Sequence, residues 1–246
     1  MKNIIITLVC LSFGLSSNAQ NDAGTVTFER RTYWINIMSR LPYITQEDID
    51  RDKLTWGKNQ GRPQEYVLHF KDNKSVYTAV EKESDGGYSW RQDKYMIIRD
   101  HKEKRSKDWV DLLGKTYIIE DEVPKYKWKI LNEIKEVAGY LCMKAETKDT
   151  IRDRVVHAWF TNLIPAQAGP EGYDGLPGMI LGLNFNDGDV TVEATKVEFI
   201  STDLELPIPE KMKGKNITRE EFDKKTAKYI RETIEGRKNP FWQLRY

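Results

Sequence analysis

The side chains best suited to chemistry in this chain are Cys142 and His157. A thiol beside an imidazole base is a nucleophilic pair, and if the two met across adjacent strands they would make a hydrolase or thiol enzyme. A lone cysteine in a strand is more often a small packed residue, and the sequence favours that reading. His69 and His101 stand on other elements, and none of the three histidines has neighbours at zinc-ligand spacing. Asn186-Asp187-Gly188-Asp189 has the composition of a calcium loop but lacks the downstream bidentate Glu that such a loop needs. There is no Gly-x-Ser-x-Gly elbow. Gly169, Gly172, Gly175 and Gly178 precede a strand pattern instead of opening a helix, so they read as turn-makers and not as a phosphate cradle. No catalytic residue, metal or cofactor is expected from these patterns.

The elements that would have to position Cys142 and His157 are strands, and the clearest of them is a hairpin. In Leu176-Pro177-Gly178-Met179, Pro177 presets φ near about −65° and Gly178 permits a positive φ, which predicts a type II turn feeding a strand from Met179. Asp187-Gly188 predicts a two-residue type I′ loop that sets Phe185 opposite Val190, Leu183 opposite Val192 and Leu181 opposite Ala194. All six are apolar. Gly182, Glu193, Asn184 and Thr191 fall on the other face, so one side of the hairpin belongs to a core.

Composition bounds the compartment more than the activity. Lys2, the apolar run Ile4 to Leu11 and the small residues of Ser17-Asn18-Ala19 predict a signal peptide over 1–19, with 20–246 as one domain. The apolar run is too short for a transmembrane span. With Lys2 set aside, basic and acidic residues balance, so no nucleic-acid partner is expected; the mixed charges from Asp100 to Asp108 read as a solvated loop. Cys142 is the only cysteine after the leader, so the fold rests on its core. The 7 Trp and 12 Tyr are enough to line a cavity.

Strand patterns recur at 25–36, 65–70, 75–82, 88–98 (after a turn at Asp85-Gly86-Gly87), 115–121, 125–130, 139–147 and 154–161. In 125–130 the alternation puts Tyr126, Trp128 and Ile130 on a buried face; in 139–147 it does so for Leu141, Met143 and Ala145. A loss of phase near Thr195-Lys196 predicts a bulge. Thr45 with Asp48, and Thr218 with Glu221, are capping boxes that open helices ending at Gly57 and Gly236. The sum is a mainly β (α+β) chain: a single large, curved antiparallel sheet or half-open barrel of about ten strands with two or three helices.

Gly175-Leu176-Pro177-Gly178-Met179-Ile180, together with Trp128-Lys129-Ile130, Gly139 to Ala145, Ala158-Trp159-Phe160, Ile164-Pro165 and Gly169-Pro170, resembles the GLPGLI family of exported Bacteroidetes proteins, with Met179 in place of the family's Leu. The resemblance covers most of the chain after the leader. It implies a periplasmic or outer-membrane-associated protein, a TonB-dependent receptor as partner, a fold akin to LolA-like lipoprotein carriers, and no known catalytic residues. The reading is therefore a noncatalytic binding protein holding a small apolar ligand or docking on a receptor. Trp159, Tyr173, Leu176, His157 and Tyr140 are the expected ligand-binding residues, on or beside the loop Ile164 to Gly178. Gly175, Pro177, Gly178, Asp187 and Gly188 are the structural motif.

Overall fold

Strands that alternate apolar and polar residues need a surface to bury one face against, and here they find it by joining one sheet. The computed structural model describes residues 23–57, 61–80, 95–200 and 204–246; the expected leader and the Asp85-Gly86-Gly87 turn lie outside them. The strands are β1 (Ala23–Thr32), β2 (Pro63–Lys71), β3 (Lys74–Ala79), β4 (Tyr95–Asp100), β5 (Arg105–Leu112), β6 (Lys115–Glu122), β7 (Lys129–Val137), β8 (Tyr140–Asp149), β9 (Arg154–Thr161), β10 (Met179–Phe185), β11 (Val190–Phe199) and β12 (Lys215–Ile217). The helices are α1 (Trp34–Ser39), α2 (Gln46–Trp56) and α3 (Arg219–Glu235). The sheet runs β12-β6-β5-β4-β3-β2-β1-β11-β10-β9-β8-β7, so β1 joins two meanders. It is mainly β and does not close into a barrel. Among the described residues every strand pair is antiparallel except β12 beside β6, which is parallel and makes the sheet mixed.

The hairpin register is as expected: Phe185 faces Val190 and Leu183 faces Val192. Its loop is longer than two residues. Asn186 and Asp187 take the left-handed conformation at φ 48° and 53°, and the Asp189 amide donates to the Phe185 carbonyl at 2.9 Å, so residues 186–189 close the turn. The turn at Pro177 also differs from type II. The Gly178 amide donates to the Leu176 carbonyl at 2.8 Å, a three-residue γ-type closure, because the Met179 amide is already taken by the Ile164 carbonyl at 3.1 Å. The bulge falls where the phase breaks: Thr27 faces Lys196 and Phe28 faces Ala194, leaving Thr195 unpaired.

Both capping boxes form, with Thr45 accepting from the Asp48 amide and Thr218 from the Glu221 amide. The run after Thr32 is α1 and not strand. Tyr33 donates its amide to the Asp189 carbonyl at 2.9 Å and Asn36 Nδ2 donates to the Gly188 carbonyl at 2.8 Å; these tertiary bonds override the β-propensity of Tyr33-Trp34-Ile35.

Three other expectations are corrected. The second half of the expected solvated loop, Arg105 to Asp108, opens β5, whose Ser106, Asp108, Val110 and Leu112 are buried. Residues 125–128 carry no strand; Tyr126 and Trp128 instead pack on Tyr173 with ring centroids 4.8 and 6.2 Å apart, and the strand begins at Lys129. In β8 it is Cys142 that is buried, whereas Leu141 (63% exposed) and Met143 (36%) are not. The reason is position: β7 is an edge strand, and it leaves Ile134 and Met143 paired in solvent while Lys135 crosses to Glu193 at 3.0 Å on the face that covers Cys142.

The core lies on one face of the sheet, where Val26, Phe28, Leu68, Phe70, Tyr77, Ile119, Val156, Phe160, Leu183 and Phe185 are almost fully buried. Each such side chain contributes roughly 1.5–3 kcal/mol. The crossover from β9 to β10 (residues 162–178), α3 and the tail from Asn239 cover that face: Phe222 packs edge-on to Tyr117 at 6.1 Å, and Tyr173 on Phe185 at 5.8 Å.

Candidate functional site

Period-two alternation puts Arg30, Tyr66, Tyr77, Tyr95, Arg99 and Asp108 on the same face as the core, because their positions are in phase with Phe28, Leu68, Ile97 and Val110. Buried charge is costly unless paired, and the crossover supplies the partner. Pro170–Gly172 forms a single 3-10 turn in which Glu171 adopts φ 57°, aiming its side chain down at the sheet. Its carboxylate accepts from Arg245 Nε at 2.7 Å and Nη2 at 2.5 Å, and from the hydroxyls of Tyr77 and Tyr95, each at 3.1 Å. Arg30 Nε lies 3.4 Å away. Burial by itself would raise this carboxyl's pKa. The Arg245 charge and hydrogen bonds, with Arg30 and Tyr77, outweigh it and hold the group at about 2. Arg245 in turn stacks 3.8 Å over the Tyr95 ring and donates to the Tyr66 hydroxyl at 2.7 Å.

A second cluster sits beside the first. Asp108 accepts from Arg99 and from Arg219, the first residue of α3, and so ties the helix to the sheet. Asp174, also on the crossover, lies 3.7 Å from Arg99 Nε and 3.8 Å from His101 Nε2, and its Oδ2 has no hydrogen-bond partner among the described residues. Burial pushes its carboxyl up to about 7, Arg99 opposing and Asp108 adding to the shift. An unfolded Asp titrates near about 3.9. Between those two values the folded chain holds a proton that the unfolded chain has lost, so the contribution of this group to stability falls as pH rises from about 4 to about 7. Asp174→Asn is therefore expected to be more stable than the native chain at pH 8, by up to a few kcal/mol. That advantage should shrink toward pH 5 in urea unfolding curves; equal stability of the two chains at pH 8 would contradict it.

Between these clusters, the tail and α3 lies a cavity of about 420 Å³ whose lining includes Tyr95, Arg99, Asp108, Tyr126, Asp149, Arg152, Arg154, Glu171, Tyr173, Arg219 and Tyr246. Its walls combine tyrosine rings with paired charges. Arg154, at the start of β9, lies 4.2 Å over the Phe185 ring and donates from Nε to Asp149 Oδ2 at 3.0 Å.

Of the residues expected to bind ligand, Tyr173 lines this cavity, and the crossover that carries it forms one wall. Leu176 is buried in the core, and Tyr140 is half-buried against it. Trp159 lies beneath Lys135 and Lys144, whose ammonium groups stand 4.9 and 5.7 Å from its ring. His157 sits between Glu146 (Nε2, 3.1 Å) and Asp187 (Nδ1, 3.0 Å). Cys142 and His157 do not meet: His157 is opposite Glu146, four residues along β8 from Cys142, or about 13 Å. The thiol is buried, which pushes it up to about 11. Gly175 and Pro177 are exposed at the turn, Gly178 is buried beneath it, and Asp187 and Gly188 form the hairpin tip.

Most arginines and acids of the cavity escape sequence reasoning because they come from separate elements: Arg99 from β4, Asp108 from β5, Glu171 from the crossover, Arg219 from α3 and Arg245 from the tail. Only the placement of Glu171 between Gly169-Pro170 and Gly172, a charged residue inside a turn, marks it out.

Residues 146–182, from β8 through the crossover into β10, match a family model described as a protein of unknown function (Porph_ging). No curated protein matches the chain. Two solved structures of PNGF-II, in P21 and C2 crystal forms, are similar, with TM-scores of 0.55 and 0.54 and 15% identity. The alignments cover 84% and 83% of this chain but 33% and 32% of those chains, so this chain spans about a third of their length. At that identity the likeness is one of fold.

Proposed function

We propose that this chain is an exported, noncatalytic binding protein of the periplasm or outer-membrane periphery, with a small ligand held in the cavity beneath the crossover. The observation that carries the reading is that cavity. Its volume of about 420 Å³ suits a small molecule, and the acids Asp108, Asp149 and Glu171 on its walls are already engaged by arginines. Such walls orient a ligand, and the thiol lies away from them. They favour a polar ligand over the apolar one that the sequence suggests. Export is supported by Lys2, the apolar run after it and Ser17-Asn18-Ala19. A GLPGLI-type assignment and a TonB-dependent receptor as partner draw support from the Gly175 to Ile180 motif, which lies within the family match over 146–182.

The test is recovery of the chain from its native envelope, followed by mass spectrometry of co-purifying proteins and small molecules. A stoichiometric small molecule supports the binding reading; a receptor with no small molecule shifts the function to docking. Cys142→Ala is expected to leave ligand retention unchanged within error, and loss of a covalent adduct or of turnover in that variant would restore the thiol-enzyme reading.

A further inference from the structure

Arg154 carries hydrogen-bonding capacity that the fold does not use. Its side chain is 5% exposed, and its guanidinium plane is fixed by Phe185 at 4.2 Å and Tyr246 at 5.3 Å. The Nε edge is spent on Asp149, and the Tyr173 hydroxyl neighbours the group. Nη1 is buried with no hydrogen-bond partner among the described residues. Arginine cannot shed its proton to escape such a site, so an unfilled donor is costly.

Asp149 has little left to offer. Its Oδ1 accepts the amides of Ile151 at 3.0 Å and Arg152 at 3.1 Å, and its Oδ2 is shared by Arg154 at 3.0 Å and Arg152 Nη1 at 3.4 Å. Across the cavity Asp108 is likewise shared by Arg99 and Arg219, and the Nε atoms of both arginines are buried with no hydrogen-bond partner among the described residues. In both clusters a single carboxylate serves two guanidinium groups. Among the described residues, seven basic and five acidic side chains line the cavity.

We propose that the cavity takes a small organic anion, of monosaccharide or dipeptide size, whose carboxylate or phosphate oxygen accepts from Arg154 Nη1, with Arg152 flanking it. This rests on the binding reading above and specifies its ligand. A planar guanidinium clamped on two rings presents its free edge in a fixed direction, which is the geometry that selects oxyanions. The Tyr126 and Tyr173 rings, also on the wall, suit a flat ligand body.

The test is isothermal titration and thermal shift of the full chain with inorganic phosphate, D-glucuronate and uncharged D-glucose. Saturable binding of phosphate or glucuronate, absent for glucose, is expected; which of the two anions binds more tightly separates phosphate from carboxylate ligands. Arg154→Gln should weaken that binding at least about tenfold, the loss of one charged hydrogen bond. Arg152 is only partly buried, so Arg152→Gln should fold in any case and weaken binding several-fold, which keeps the test decisive if Arg154→Gln fails to fold. Equal response of native and variant chains marks a general salt effect and overturns the proposal, as does the absence of any saturable response to either anion. Binding of glucose as tight as that of glucuronate overturns the anion inference and leaves the binding reading standing. A chain recovered from its envelope with no small molecule overturns the binding reading itself.

Discussion

Glu171→Gln is expected to cost about 3–5 kcal/mol of folding stability, the range for removing one partner of a buried ion pair. The glutamine is isosteric, so packing is nearly preserved and the loss is electrostatic. Arg30 and most of Arg245 would remain buried with no counter-charge between them. The phenols of Tyr77 and Tyr95 would exchange a carboxylate acceptor for an amide oxygen that can serve only part of the set. Combining Glu171→Gln with Arg245→Met is expected to recover part of the loss, because the second change removes a charge that the first left stranded.

The pH dependence gives a second reading of the same residue. The folded carboxyl is held at about 2, below the unfolded value of about 4.3. Its stabilisation is therefore present above about pH 4.3 and lost as pH falls toward 2, with the opposite sign to Asp174. Urea unfolding of native and Glu171→Gln chains from pH 7 down to pH 3 should show the native advantage narrowing with acid. A single variant within about 1 kcal/mol of native at pH 7 would mean that the crossover is not anchored through this group.

Gly178→Ala is expected to destabilise by about 2–5 kcal/mol, adding backbone strain to an overlap that cannot relax. At φ 129° the backbone occupies a region that side-chain-bearing residues rarely adopt, and an added Cβ would lie 2.8 Å from the Thr161 carbonyl carbon and 2.9 Å from the Asn162 Cα. Both obstacles are main chain. Gly175 makes the internal control: it also has a positive φ, 81°, but a Cβ there meets nothing within 4 Å. Gly175→Ala should cost only about 1–2 kcal/mol. Thermal unfolding of the two variants side by side checks the difference, and equal losses would show that the left-handed turn, and not the close approach to Thr161, is what the motif protects. Because the turn returns the crossover to β10, loosening it should also loosen Glu171 and the cavity wall.

The local features were legible in the sequence because each is decided within a few residues. The capping boxes at Thr45 and Thr218, the hairpin register around Phe185 and Val190, and the bulge at Thr195 all follow from side-chain chemistry or phase alone. The Pro177 turn was legible in place but not in type, since the Met179 amide that a type II turn would use is claimed by Ile164, a residue far off in sequence. The strand β5 was hidden for a related reason: Asp108 reads as solvated until Arg99 and Arg219 are seen to reach it from other elements.

The sequence by itself determined a β-rich chain, an expected exported compartment, the Gly175 to Ile180 motif and the crossover loop as the segment to watch. The tertiary structure decided which side of the sheet that loop covers, and with it the character of the site. The sequence marks Tyr173 as the aromatic of that loop, but the cavity that it lines is governed by Glu171, Arg154, Arg99 and Asp108, drawn from the crossover, β9, β4 and β5. A buried charge is tolerable only opposite its partner, and partners brought together by strand order leave no spacing for the linear sequence to display.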